Sequence, residues 1–564
     1  MKTTSKDTNI KSVACERQTR NTIARFLVWP ALSLLVLARI CSGADAPAVN
    51  STAGLQQTPP PLTLQVEPGE KWWGGAVVAA SSMPYGAKSY VLNLTDNILD
   101  NQATPLLISQ HGRYVWCDEP FKFQFKDGML IVTPHSAPIQ SGQAGTTLKE
   151  AYQYVSKTYF PPTGTTPNEL MFLAPQYNTW IELKYNQNEA DVLKYAHSII
   201  DNGFPPGVLM IDDNWQEDYG VWEFSARRFP HPKAMMDELH RMGFKVMVWM
   251  VPFVSPDSAV YRDLAKKGLF LGERGREWPA IVHWWNGASA LLDLSNPEAA
   301  QWFKGRLQYL VDTYGVDGFK FDGGDPEFYA GDVTSREPVS ANAQSELYAR
   351  LGLAFPLNEY RACWKMGGQP LAQRLRDKRH EWKDLQLLIP GILAQGLMGY
   401  AYTCPDMIGG GEISSFDNLQ NVDQDLVVRA AQCHALMPMM QFSVAPWRVL
   451  DAQHLALCKA AAILHKDMGP EILALAKQSS QTGEPIIRSM EYSFPGHGWE
   501  EINDQFMLGD DVLVAPVMQK GATNRMVQFP GGKWKGNDGS LVDGPCHIQV
   551  NAPLERLPWY RRVN

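Results

Sequence analysis

Between residues 169 and 451, short apolar runs alternate with helix-periodic segments, and few architectures accept that rhythm. Gly207 to Ile211 is a buried-strand run ending at Asp212. Lys245 to Met250 is another, and Gly318 to Phe321 a third, ending at Asp322. Between them lie helical patterns at Glu189 to Asn202, Lys233 to Met242 and Pro297 to Tyr314. The alternation Trp180-Ile-Glu-Leu reads as the first strand. Strand alternating with helix over ~270 residues predicts parallel βα units, and that length suits a closed (β/α)8 barrel of the α/β class.

The flanks have different rhythms. From Leu62 to about Phe160 the pattern is short β runs with turn signals, such as Ser89 to Leu94, Pro105 to Ser109 and Met129 to Thr133, with Asp127-Gly128 before the last. This predicts an N-terminal β-sandwich over residues 62–168. A helical stretch from Ala452 to Lys477 precedes renewed β runs at Pro485 to Met490, Val512 to Val517 and Arg525 to Phe529. Residues 452–564 therefore read as a helical connection and a C-terminal β-sandwich around the central barrel at 169–451.

The N-terminus reads as an address. Six Lys and Arg between Lys2 and Arg25 precede the apolar run Phe26 to Ala38, and small residues follow at Ser42, Gly43 and Ala44. That order marks residues 1–44 as a secretory signal, with residues 45–61 as a Pro/Thr/Gln-rich linker. The apolar run, ~13 residues, is shorter than a bilayer span. The expectation is an exported protein, periplasmic or extracellular, or else one anchored by an uncleaved N-terminal segment. Of eight cysteines, Cys15 and Cys41 fall in the signal, and the remaining six show no C-x-x-C spacing, which argues against a zinc or redox site. Disulfides and free thiols both stay open for those six. Asn50-Ser-Thr and Asn93-Leu-Thr are glycosylation sequons.

Net charge is −8, so the overall basic footprint of a nucleic-acid binder is absent. The chain carries 18 Trp, which suits a ligand with sugar C–H faces. In a (β/α)8 barrel the active site is built at the carboxyl ends of the strands. At those ends stand Trp180, Glu182 and Tyr185; Asp212, Asp213 and Trp215; Trp249; Trp284 and Trp285; Lys320, Asp322 and Asp325; then Arg361, Arg374, Arg376, Asp377 and Asp406. Singly each has a plain structural role: a turn Asp, a helix cap, a core Trp, a surface ion pair. Together, five βα junctions carry one palette of carboxylates, cations and indoles, which is what a hydroxyl-rich substrate needs.

Two carboxylates flanking a glycosidic bond are the minimum for glycoside hydrolysis. Asp322 is the candidate nucleophile. It ends a rigid apolar strand, and Lys320, two residues earlier, shares its face and favours the ionised form. Asp377 is the candidate acid/base, although Arg376 and Lys378 beside it favour a carboxylate over the acid the first step requires.

The runs VDGFKFD (Val316 to Asp322), LLDLSNP (Leu291 to Pro297), PDMIGG (Pro405 to Gly410) and DQFMLGDDVLVAP (Asp504 to Pro516) resemble glycoside hydrolase family 31. MPMMQFSVAPWR (Met437 to Arg448) and RLRDK (Arg374 to Lys378) are similar to its myogenesis-regulating branch. The resemblance implies a retaining α-glycosidase with two catalytic Asp and no metal or cofactor. It implies Asp322 as nucleophile, Asp377 as acid/base and Asp212 as a ligand of sugar hydroxyls. Asp213, Trp180, Trp249, Trp284, Lys320, Arg361 and Asp406 are the further substrate-binding candidates. Family α-glucosidases usually carry Trp-Ser/Thr-Gly-Asp at the acid and Arg-x-His after the last helical region. Here RLRD and Gln441-Phe-Ser443 stand instead. The pair Asp212-Asp213 would suit an axial O4 together with O6, so an α-galactoside is favoured. α-Glucoside, α-xyloside and sulfoquinovoside remain alternatives, as does a non-catalytic carbohydrate-binding homologue. The expected partner is an oligosaccharide or glycoconjugate, with no nucleic acid, no membrane span after signal removal, and homo-oligomerisation left open.

Overall fold

The computed structural model describes residues 59–96 and 100–563. The signal and the linker as far as residue 58 lie outside the described residues. Eight strands form the barrel: β1 Gln176–Asn178, β2 Val208–Ile211, β3 Lys245–Met250, β4 Gly318–Phe321, β5 Asn358–Tyr360, β6 Gln373–Arg374, β7 Thr403–Cys404 and β8 Gln441–Phe442. Their order is β7-β6-β5-β4-β3-β2-β1-β8, all pairs parallel, and a single bridge between Met407 and Gln441 closes the ring. Strands β2 to β4 are mostly apolar runs buried on both faces, as a helix-covered parallel sheet requires, with Lys320 the buried exception in β4.

The outer helices follow from local chemistry. The helix Pro297–Tyr314 starts at Asn296, whose side chain accepts from the Glu298 N–H, has Pro at its first position and stops at Gly315 with φ +81°. The helix Ala452–Thr482 starts at Asp451, which accepts from the N–H groups of Gln453 and His454.

One strand assignment needs correcting. Trp180–Leu183 is a single helical turn, and the first strand is the preceding Gln176–Asn178. Asn178 caps that turn by accepting from the Trp180 N–H at 2.8 Å, and the polar strand Gln-Tyr-Asn is hidden because its side chains serve a polar network inside the barrel.

The N-terminal β domain has a four-stranded sheet (Leu62–Gln65, Met129–Pro134, Phe121–Lys126, Tyr90–Asn93) and a second sheet built on Gln102–Ser109. The second sheet takes in Cys363–Trp364 from the barrel, pairing Cys363 with Gln102. Gln102 in turn donates to the carbonyls of Arg361 (2.7 Å) and Arg374 (2.9 Å), so this domain is stitched to the barrel beside the site. The C-terminal β domain joins its strands in one six-stranded antiparallel sheet, with a register shift in its long hairpin between Phe529 and Gly532 that bends it. Among the described residues no helix is long and apolar enough to cross a membrane. The six cysteines of the described region are free thiols, five of them buried.

Candidate active site

At the carboxyl ends of the barrel strands lies a cavity of about 250 Å³. That is close to the smallest volumes used for small ligands and suits one sugar ring. Its walls include Trp180, Asp212, Asp213, Trp249, Lys320, Asp322, Arg361 and Asp377, eight of the ten residues picked from the sequence. Asp322 and Asp377, from different loops, face the same small space.

Asp322 is fixed twice. Its backbone N–H donates to the Met250 carbonyl at 2.8 Å, and its own carbonyl accepts from the Tyr348 hydroxyl at 3.0 Å. Its carboxylate accepts from Arg361 Nε (2.8 Å) and the Gly323 N–H (3.0 Å) on Oδ1, and from Trp249 Nε1 (2.9 Å) on Oδ2. Gly323 has φ +65°, and a side chain there would strike the Phe253 ring at 2.7 Å. Burial alone would raise the pKa of Asp322. Arg361, Lys320 and the Trp249 indole outweigh it and hold the carboxyl well below the usual range.

Arg361 grips three carboxylates: Asp322, Asp325 through Nη2 (3.0 Å) and Asp100 through Nη1 (3.0 Å). The indole of Trp285 lies 5.1 Å from its guanidinium carbon. Asp325 is fully enclosed, and burial pushes it up to about 7. Asp100 comes from the N-terminal domain, so that domain completes the site.

Beside Asp322, Lys320 Nζ donates to Asp212 Oδ2 at 2.7 Å, both groups buried. Asp213 turns from its neighbour. Its carboxylate accepts from the Asn214 N–H, from the Tyr219 hydroxyl and from Asn286 Nδ2. Burial first, then the charge of Asp212, pushes Asp213 up to about 7. Asn286 sits at the tip of a hairpin (Ile281–Trp284 and Gly287–Leu291) and also accepts from the Tyr185 hydroxyl at 2.9 Å, so it ties the hairpin across the cavity mouth.

The cation that meets Asp377 is Arg374, whose Nη1 lies 2.7 Å from Asp377 Oδ1. The flanking cations expected from the sequence are directed elsewhere. Arg376 is exposed, and Lys378 is buried with its ammonium donating to the Arg376 carbonyl at 2.6 Å.

Two residues expected on the wall stand behind it. Trp284 packs against Phe253 with rings 4.4 Å apart, and its neighbour Trp285 takes the wall position, since successive residues of a strand face opposite ways. Asp406 is fully buried and accepts from Arg374 Nη1 (2.6 Å), the Lys378 N–H (2.7 Å) and the Gly411 N–H (3.2 Å). The wall residues missing from the sequence reading are Asp100, Glu412 and Ile413. Glu412 and Ile413 follow the glycine run 409–411, whose turn signal was the only pointer to a loop able to lean inward.

Below the cavity, Glu359 of β5 accepts from Gln441 Nε2 at 2.6 Å, and Gln441 also donates to Gln176 at 3.0 Å. Gln441 and Ser443 serve the barrel. The Ser443 hydroxyl accepts from the Ile181 N–H.

Comparison with known proteins agrees with this architecture. Residues 173–369 match the glycosyl hydrolases family 31 TIM-barrel domain and residues 483–564 the family 31 C-terminal domain. The chain belongs to glycoside hydrolase family 31. It is 33% identical over 422 residues to the myogenesis-regulating glycosidase of Mus musculus, covering 73% of this chain and 59% of that protein. It is 25% identical to alpha-glucosidase 2 of Bacillus thermoamyloliquefaciens, covering 66% of this chain and 50% of that protein. The chain thus spans about half the length of the curated relatives it matches. Among solved structures of the family, a Flavobacterium johnsoniae dextranase complexed with glucose superposes with TM-score 0.79 at 19% identity, covering 89% of this chain and 66% of that one. An alpha-xylosidase from a soil metagenome complexed with xylose gives 0.78 at 21%, covering 89% and 79%. These two likenesses concern the family 31 fold.

Proposed function

We propose that this family 31 chain is an exported retaining α-glycosidase that removes terminal α-galactosyl residues from oligosaccharides or glycoconjugates. The observation that carries the reading is Asp322: a buried carboxylate kept ionised by Arg361, Lys320 and Trp249 at the rim of a one-sugar cavity that Asp377 also lines. Asp322 attacks the anomeric carbon while the bond to the leaving oxygen breaks and Asp377 gives that oxygen its proton. This forms a β-glycosyl ester of Asp322. Asp377, now a carboxylate, takes a proton from water. The water oxygen attacks the anomeric carbon, the ester bond breaks, and the sugar leaves as the α-anomer with Asp322 restored.

The galactoside preference rests on the wall that carries Asp212 and Asp213. Asp212, held by Lys320, offers its carboxylate to ring hydroxyls beside Asp213, and the alternative pair at Gln441 and Ser443 is turned into the barrel. The test is an aryl α-glycoside panel of galactose, glucose, xylose and sulfoquinovose, with NMR of the first-formed anomer. A fluorinated α-galactosyl fluoride should label Asp322, read by mass spectrometry. Asp322→Asn should abolish turnover and keep binding. Full activity of that variant, or a β product, overturns the mechanism. Ligand binding without turnover of any donor leaves a carbohydrate-binding protein.

A further inference from the structure

Arg374 Nη1 carries two hydrogens yet lies within hydrogen-bond distance of three oxygens: the Leu375 carbonyl (3.0 Å), Asp377 Oδ1 (2.7 Å) and Asp406 Oδ1 (2.6 Å). Two carboxylates therefore compete at one nitrogen, and a proton on either relieves the contact. Their settings differ. Asp377 is one-third exposed to the cavity, and Arg374 is its only donor among the described residues. Asp406 is enclosed, held by two backbone N–H groups on Oδ2, and adopts φ +103°, a conformation costly for Asp that persists only where its surroundings impose it.

We propose that Asp377 and Asp406 share one proton across Arg374, which makes Asp406 a positioning residue that sets when Asp377 can act as an acid. The proposal rests on the reading of Asp377 as acid/base. When Asp377 is the acid, Asp406 is the carboxylate held at Nη1, with Glu359 beside Nε; once Asp377 has given its proton to the leaving oxygen, Arg374 stabilises both Asp carboxylates until water returns one. The charged groups around the pair are Glu359 from β5, at 3.4 Å from Arg374 Nε, Lys320 from β4, Asp322 and Arg361 from the Asp322 side of the cavity, and Lys378 from the loop after β6, whose ammonium donates to the Arg376 carbonyl. Burial raises Asp406 to about 6, with Arg374 opposing and Asp377 adding, as a buried member of a shared pair requires.

The experiment is Asp406→Asn assayed with para-nitrophenyl and methyl α-galactosides across pH. With its competitor neutral, Asp377 is the one carboxylate at Arg374 Nη1 and its ionised form is favoured. The alkaline limb of kcat/KM should then move down by roughly one pH unit. The methyl substrate, which needs the proton, should lose at least about tenfold more rate than the nitrophenyl one. Equal losses with an unmoved limb would overturn the proposal and leave Asp406 a structural residue. A readout independent of turnover and of that variant's folding is infrared titration of carbon-13 aspartate-labelled protein, with and without Asp377→Asn. The carboxylic-acid band of the enclosed partner should shift its midpoint when Asp377 is neutralised, and a set of bands that all stay in place would refute sharing. Absence of turnover in the wild type would count against the function, and the infrared result would still decide the pair.

Discussion

Replacing Lys320 by Met tests whether the site's charges are balanced in pairs. Lys320 Nζ and Asp212 Oδ2 are 2.7 Å apart, and their side chains are 4% and 2% exposed. Removing the ammonium leaves a carboxylate in the barrel with no counter-charge, a change that costs about 3–5 kcal/mol in buried pairs. The described chain from residue 59 onward belongs to one compact unit. At about 2 cal/mol/K per residue, a unit of roughly 500 residues has an unfolding entropy near 1 kcal/mol/K, so Tm should fall by about 3–5 °C. Neutralising the stranded partner as well, in Lys320→Met with Asp212→Asn, should recover most of the loss, because replacing both members removes the unpaired charge. Differential scanning calorimetry of the wild type, both single variants and the double variant closes the cycle. A Lys320→Met protein melting within 1 °C of wild type, or a double variant no better than the single, would refute the pairing.

Two further outcomes follow from the cavity walls. Burial raises Asp213 to about 7, so between an unfolded value near 4 and that folded value the native state binds a proton the unfolded chain has lost. Its contribution is complete below about pH 4 and is lost as pH rises through about 7; Asp213→Asn should flatten the fall of stability over that window, by on the order of 1 kcal/mol per pH unit, read from urea denaturation at several pH values. Asn286→Ala frees the hairpin from Tyr185, Tyr219 and Asp213. KM should rise severalfold while kcat changes little, and a pure kcat loss would show that the hairpin acts on the chemistry rather than on binding.

The first half of the barrel was legible and the second half was not, for one physical reason. Strands β2, β3 and β4 are buried on both faces and mostly apolar, with Lys320 of β4 their one buried charge, and their limits could be read almost to the residue. Strands β5 to β8 read Asn-Glu-Tyr, Gln-Arg, Thr-Cys and Gln-Phe. Their inward side chains form the network under the cavity, so hydrophobic periodicity is silent exactly where the barrel is polar. The same applies to β1, whose Gln176 and Asn178 serve that network while the alternating Trp180 turn imitates a strand. Asp322 was legible because an apolar strand delivers it. Asp100 was not, since it reaches the site from another domain through an ion pair with Arg361. Trp284 was exchanged for Trp285 because composition marks an indole but not which face of a hairpin it takes.

The three cations of the site explain why so many carboxylates can stand together in a nearly closed space. A charge taken out of water must be paired. Lys320 from β4 reaches Asp212 after β2, Arg361 after β5 reaches Asp322 after β4, and Arg374 from β6 reaches Asp406 after β7. Each bond joins the end of one strand to the end of another, so the charges brace the rim of the barrel as well as equip it. The restraint is uneven. Asp322 has three donors and Asp406 three, whereas Asp377 has one and keeps a third of its side chain open. A nucleophile is served by being held ionised and still. An acid/base must gain and lose a proton in every cycle, and the carboxylate with the fewest donors is the one whose charge can change at least cost to the fold.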